Sequence, residues 1–237
     1  MNETTPPVAP LPEPMQSSAL RITLRTAMIL LVFSLVFTAL MAEVYHITQP
    51  VLQATALDAK RRLIAEVLPA DAYDNDLLDD AIDLPPLPEL GLADATRLYR
   101  ARKDGQPAAL VFEATALDGY SGQIGLILAV RADGRLAAVR VTQHKETPGL
   151  GDYIDPKKDR NKAEPWISQF DNRDFARTPR EKWRVKKDGG VFDQRAGATI
   201  SARAVTRATA RAMAWALDRQ DRLYALQAGT RYQEKSP

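Results

Sequence analysis

Two short stretches carry residue types whose spacing could hold a ligand. The first is His144-Lys145-Glu146-Thr147-Pro148-Gly149-Leu150-Gly151, and the second is Asp193-Gln194-Arg195-Ala196-Gly197-Ala198-Thr199-Ile200-Ser201. In the second, Gly197 and Ala198 remove side-chain bulk just before Thr199, so a large group could approach its hydroxyl. A helical pattern begins at Ser201, a credible N-cap, and Thr199 sits two residues before it. The free N–H groups and positive dipole end of such a helix favour a phosphate or another anion. An anion esterified to Thr199 would sit where the backbone is already electropositive. Spacing alone favours a plain Gly-Ala turn leading into a capped helix, since short Gly-Ala-Thr runs are common. In the first stretch, Pro148 stiffens the chain, while Gly149 and Gly151 permit positive φ or close backbone approach. Such a loop could lie against a flat ring, or be an ordinary surface loop. His144 by itself reads as a strand-end histidine.

Composition narrows the chemistry. The 237 residues include no cysteine, which excludes disulfides, thiolate nucleophiles, Cys-ligated clusters, Cys-held zinc and covalent c-type haem. His46 and His144 are the only histidines, which argues against a multi-histidine metal site. With 32 Lys+Arg against 30 Asp+Glu the net charge is +2, giving no basic field for nucleic acid. Any redox role needs a cofactor held by other side chains.

A membrane segment precedes both stretches. Thr26 to Ala42 is a run of seventeen uncharged residues, fourteen of them apolar. At about 1.5 Å per residue it falls slightly short of a ~30 Å hydrocarbon core. Leu24 and Ile22 extend it while Arg21 and Arg25 snorkel to the headgroups. A cleaved signal peptide is disfavoured by the long leader and the lack of a clean small-x-small site. Arg21 and Arg25 precede the span and no Lys or Arg occurs from 43 to 59, so the N-terminus is expected in the cytoplasm. In a bacterium the remainder then lies in the periplasm.

The elements that must position the two stretches follow. Residues 1–19 read as a disordered tail and 20–43 as a transmembrane helix. Residues 44–92 read as a membrane-exit helix, placed after Pro50, and then an acidic, proline-rich linker over 71–92. Residues 93–237 read as one outer domain. Its strands are expected at Arg97–Ala101, Ala108–Thr115, Ile124–Ala132 and Arg135–His144, punctuated by three Asp-Gly turns. A short helix is expected over 162–170, with Trp166 and Phe170 on one face, and a short strand over Trp183–Lys186. The four cations of Lys182 to Lys187 read as a solvated strand face or, alternatively, a partner-docking patch. A helix from Ser201 presents Arg203, Arg207 and Arg211 as a wet stripe, and a second helix runs from Asp221 to Ala228. The class is α+β: one N-terminal span, then a mainly antiparallel sheet with flanking helices.

Taken together, the order of the two stretches, their separation and the preceding span resemble one family closely. The chain resembles the G subunit of the Rnf-type ion-translocating electron transport complex. It is similar, more distantly, to the C subunit of the sodium-pumping NADH:quinone reductase. In that family a His-x-Glu-Thr-Pro-Gly-Leu-Gly stretch precedes Asp-x-x-(Ser/Thr)-Gly-Ala-Thr-x-(Ser/Thr), and the Thr of Gly-Ala-Thr carries FMN through a phosphoester. Here that residue is Thr199, and Ala196 stands where Ser or Thr is usual.

The resemblance implies an electron-carrier component of a bacterial inner-membrane complex with no catalytic residue of its own. It implies FMN delivered from FAD by a Mg²⁺-dependent flavin transferase, and the A, B, C, D and E subunits as partners in the bilayer. It places Glu146, Thr147, Pro148, Gly149 and Leu150 against the ring, and Gly197, Ala198 and Ser201 near the phosphate. Asp193 is expected to order the loop or guide the transferase. Tyr120 could sit near the site, but reads more readily as a core or edge aromatic. An unmodified membrane-anchored binding or assembly protein is the reading that remains if Thr199 carries nothing.

Overall fold

The computed structural model describes residues 16–234. The tail expected over 1–19 therefore lies mostly outside the described residues. The chain divides into two compact units, one ending at Asp58 and the other starting at Ala59.

Helix α1 runs over Gln16–Val67. Its segment Leu20–Gln49 holds a window with a mean hydropathy of 2.3, none of it buried, so it is long and apolar enough to cross a membrane. Two hydroxyls inside it are satisfied locally: Thr26 donates to the Ile22 carbonyl at 2.9 Å and Thr48 to the Val44 carbonyl at 2.8 Å. Such back-bonding lets a polar side chain sit in an apolar solvent. The separate exit helix expected after Pro50 is corrected, since one helix passes through that position. A proline costs one backbone hydrogen bond, and helical turns on both sides retain theirs.

The second unit is built on a six-stranded sheet in simple chain order: β1 (Ala81–Leu84), β2 (Thr96–Lys103), β3 (Gln106–Gly119), β4 (Gly122–Arg131), β5 (Arg135–Gln143) and β6 (Arg173–Asp174). Every neighbouring pair is antiparallel. The sequence explains the tight turns. Asp104 and Gly105 both take positive φ (52° and 75°) between β2 and β3, as a two-residue hairpin requires. Gly134, at φ 87°, turns the chain from β4 into β5.

Alternation along the strands fills both faces of the sheet. Leu110, Phe112, Ala114 and Ala116 of β3 point to one side with Leu126 and Leu128 of β4. Helix α2 (Thr199–Ala225) covers that side through Ala202, Val205, Ala208, Ala212, Met213 and Ala216. The alanines let the helix axis come close to the sheet. Tyr99, Ala109, Val111, Ile127 and Ala129 face the other way, where Ile64, Val67 and Leu68 pack on them. The sheet is thus buried on both faces, and the unit is α+β.

Several expected elements differ. The stretch 71–92 holds β1 and a 3-10 turn at Pro88–Leu90, with Ile82, Leu84, Leu87 and Leu90 buried. Its prolines punctuate a packed segment. The short helix expected over 162–170 is a 3-10 turn at Trp166–Phe170. The strand expected over Trp183–Lys186 is absent: 3-10 turns occupy Arg180–Lys182 and Lys186–Asp188. Trp183 and Val185 are buried there, and only the single bridge Val185–Phe192 resembles strand pairing. The two C-terminal helices are one, because Leu223 continues the buried stripe of α2 past the polar run at 218–222. The arginine stripe is engaged: half-buried Arg203 pairs with Asp188, exposed Arg207 with Asp118, and exposed Arg211 donates to the Glu89 carbonyl.

Candidate functional site

Thr199 is the first residue of α2 and is half-buried. The residue before it, Ala198, stands at the N-cap position and has no side chain that could accept from the first helical N–H groups. Helix starts normally recruit Ser, Thr, Asp or Asn for that purpose. Here no side-chain cap takes the amides of the first turn, and the helix dipole adds its positive end.

The expected N-cap is therefore corrected. Ser201 lies inside the first turn of α2, is buried, and its hydroxyl donates to Oε2 of Glu146. Glu146 Oε1 accepts the Ser121 N–H at 3.1 Å. The Glu146 N–H in turn donates to Nδ1 of His144 at 3.1 Å, and His144 Nε2 lies 3.8 Å from Asp155. His144 thus tethers the strand end to the loop that follows.

A cleft of about 240 Å³ opens between these parts. Tyr120, Glu146, Thr147, Leu150, Gly151, Gly197, Ala198, Ile200 and Ser201 line it. The two stretches singled out by residue type thus share one cavity. Glu146 and Ser201 form its buried polar floor, while Tyr120, Leu150 and Ile200 are exposed apolar rim groups. Tyr120 is 67% exposed, which corrects the reading of it as a core aromatic. Gly151 serves close approach rather than turning: a Cβ there would lie 2.6 Å from Ser201 Oγ and 2.7 Å from Glu146 Oε2.

The remaining expected site residues fall at varied distances from the cleft. Pro148 and Gly149 are exposed at the loop tip and do not line it. Gly149 has φ 76° and its N–H donates to Asp152. Asp193 is exposed and lies in a second groove, where its carboxylate pairs with Lys186 and its N–H donates to Gln169 at 2.7 Å. Of the four cations at 182–187, Lys186 makes that ion pair and Lys182 donates to the Gly189 carbonyl.

One group has no signal in residue type. Tyr153, buried on the 3-10 turn Gly151–Ile154, donates from its hydroxyl to the Ala198 carbonyl at 3.1 Å and accepts the Arg195 N–H at 3.2 Å. Burial raises its pKa against the opposing effect of Arg195, so the hydroxyl stays protonated. The fully buried Asp159 pairs with the Arg195 guanidinium. Burial would raise the Asp159 pKa, but N–H groups of Trp166 and Asn161 and the guanidinium outweigh it and hold it below the usual range.

The residues fit a phosphorylated aromatic cofactor. Uncapped amides flank a half-buried hydroxyl, Gly197 has no atom within 4 Å of where a Cβ would stand, and the adjoining cleft is part apolar. Comparisons agree with that chemistry. Residues 119–214 match the FMN-binding domain family, and residues 15–67 match the RnfG N-terminal region family. A relative from Pseudomonas aeruginosa, the G subunit of an ion-translocating oxidoreductase complex, is 41% identical over 211 residues, covering 89% of this chain and 96% of the relative. Proteins of the same name from Haemophilus influenzae (37% over 206 residues, 87% of this chain and 96% of the relative) and Salmonella typhi (42% over 175 residues, 74% and 82%) are also similar.

Proposed function

The chain belongs to the family of G subunits of ion-translocating oxidoreductase complexes, and on that premise we propose that it is a membrane-anchored electron carrier whose FMN is esterified through its phosphate to Thr199. The observation that carries the proposal is the position of Thr199: its hydroxyl starts a 27-residue helix with no side-chain cap, next to a cleft lined by Thr147, Leu150 and Gly151. In the attachment step, Thr199 Oγ1 forms the new bond to phosphorus and loses its proton. AMP leaves from FAD, in a reaction run by a flavin transferase with its Mg²⁺.

Once bound, FMN supplies one-electron redox chemistry, and the protein supplies position and electrostatics. The first-turn amides of α2 hold the phosphate. Tyr120, Leu150 and Ile200 offer apolar surface to the ring. Ser201 stays engaged with Glu146, so its backbone N–H rather than its hydroxyl serves the phosphate. The cleft, at about 240 Å³, is smaller than the roughly 300–1,000 Å³ pockets that enclose a whole ligand. A ring resting there stays accessible to partners, as a carrier between proteins requires. The A, B, C, D and E subunits of an Rnf-type complex are those partners, and the second unit works in the periplasm with the N-terminus in the cytoplasm.

In-gel flavin fluorescence tests the reading. The full chain is expressed with a flavin transferase, denatured in SDS and illuminated beside Thr199→Ala. The expected result is a fluorescent wild-type band and a dark variant that still folds. A variant that remains fluorescent moves the attachment elsewhere. Two dark bands beside a glowing known acceptor leave an unmodified membrane-anchored protein.

A further inference from the structure

The chain just before Thr199 makes a tight turn. The Ala198 N–H donates to the Arg195 carbonyl at 3.2 Å, so residues 195–198 form a four-residue turn. Gly197 has φ 80° at the third position, which type II turns reserve for glycine. Ala196 and Gly197 are exposed. By composition such a turn is loose, because glycine loses the most freedom when ordered.

One side chain closes it from behind. The Tyr153 hydroxyl takes the N–H of the turn's first residue, Arg195, and gives its proton to the carbonyl of the last, Ala198. The ring itself is held. Trp166 meets it edge-on with centroids 5.4 Å apart, and the Arg195 guanidinium lies over it at 4.5 Å. Asp159 fixes that guanidinium and is itself anchored by the Trp166 N–H at 2.7 Å and the Asn161 N–H at 2.9 Å.

We propose that Tyr153 is a positioning residue for flavin attachment: by bonding both ends of the Arg195–Ala198 turn, it presents the Thr199 hydroxyl in one orientation to the incoming flavin phosphate. The inference rests on Thr199 being the acceptor. A turn already ordered spares the transfer step the cost of ordering it, which is how a held geometry speeds a reaction between two partners. Ala196 leaves the turn without a hydroxyl of its own, so the clasp comes from Tyr153 across 45 residues of chain.

The test compares wild type with Tyr153→Phe, which keeps the ring and deletes only the hydroxyl. Full-length protein in detergent is incubated with FAD, Mg²⁺ and a flavin transferase, at a temperature where both proteins sit on the native baseline of their melting curves. The initial rate of covalent attachment is read by in-gel fluorescence. Two lost hydrogen bonds of ordinary strength correspond to a rate loss of about tenfold. That loss is expected in kcat of the transferase, with its KM for this protein substrate unchanged and the final yield the same. An unslowed Tyr153→Phe, beside a dark Thr199→Ala, overturns the positioning role alone. A slower rate that resides wholly in KM also overturns it, since Tyr153 then serves docking. A wild type that takes no covalent flavin, while a known acceptor protein does, overturns the acceptor reading and this inference with it.

Discussion

The Ser201 hydroxyl donates to Oε2 of Glu146 across 55 positions of sequence, and both residues are buried. Among the described residues Glu146 has no cationic partner; its carboxylate is supported by Ser201 and by the Ser121 N–H. A buried carboxylate held by neutral donors is costly to disturb, because removing a donor leaves charge without compensation. The pair ties three segments together: the turn after β3, the loop of residues 146–151 and the start of α2. Thr199 is presented from that junction.

Gly151→Ala probes the junction without deleting either hydrogen-bonding group. The added methyl would stand 2.6 Å from Ser201 Oγ and 2.7 Å from Glu146 Oε2, inside contact distance of both. Overpacking of this kind costs about 1–3 kcal/mol. Urea unfolding followed by tryptophan fluorescence checks it. Trp166, Trp183 and Trp215 all lie buried in the second unit, so the signal reports that unit even in the full chain. Wild-type stability in Gly151→Ala would show that the Ser201–Glu146 contact yields freely.

Arg100 performs a different task at the other end of α2. Its buried guanidinium donates to the carbonyls of Leu223 at 3.1 Å and Tyr224 at 3.3 Å, and also to Leu226, while pairing with Asp80. It therefore satisfies the last carbonyls of the helix from within the sheet. Arg100→Met is expected to cost roughly 3 kcal/mol, since it breaks a buried pair and orphans those carbonyls. Arg102→Met, which removes a partly exposed partner of the same Asp80 and one bond to the Tyr224 carbonyl at 3.2 Å, should cost about 1 kcal/mol or less. The two variants in one urea series set the buried guanidinium with its several carbonyls against its partly exposed neighbour, and equal losses would refute the larger role of Arg100.

Much of this architecture was legible because it is local. Strands β2 to β5 announce themselves by alternation and by Asp-Gly turns, and the residues flanking Thr199 by their small size. Strand β1 was hidden: four residues between acidic and proline-rich neighbours carry too short a period, and only pairing with β2 makes Ala81–Leu84 a strand. Trp183 and Val185 looked like a strand because apolar and cationic residues alternate, but the alternation serves a buried aromatic cluster with Phe170 and Phe192. The partners of Ser201, Tyr153 and Arg100 were illegible for one reason. Each bond joins residues far apart in sequence, and only the closed fold decides which hydroxyl or guanidinium reaches which acceptor.

Acid and alkali should attack the second unit through different groups. Burial raises the pKa of Tyr153 and of Tyr224 above the ordinary tyrosine value of 10.0. The folded state therefore holds these protons more tightly, and the stability linked to them is complete below pH 10 and falls as pH rises past it. Asp159 and Asp188 shift downward. For Asp159 burial opposes the shift and hydrogen bonds win; for Asp188 the leading cause is its hydrogen bond from Arg203. Their contribution is present above about pH 4 and is lost as pH falls below it. Melting temperature against pH should show a plateau between these limits. Tyr153→Phe should have a shallower alkaline limb than wild type, and an identical limb would remove Tyr153 from the account.

Orientation in the membrane follows from a charge asymmetry of a few residues. Arg21 and Arg25 lie at the start of the apolar run, and the next cations after Ala42 are Lys60, Arg61 and Arg62. Those three lie 18 to 20 positions after Ala42. Cations orient a span chiefly from within about 15–20 residues of its ends, and large domains translocate with little regard to charge. Arg21 and Arg25 adjoin the apolar run while the distal cluster stands at the edge of that range, so the N-terminus is expected in the cytoplasm. An alkaline phosphatase fused at the C-terminus should be active in cells, and a green fluorescent protein fused there and exported unfolded should be dark. An inactive but well-expressed phosphatase fusion would reverse the orientation, and with it the compartment expected for the second unit.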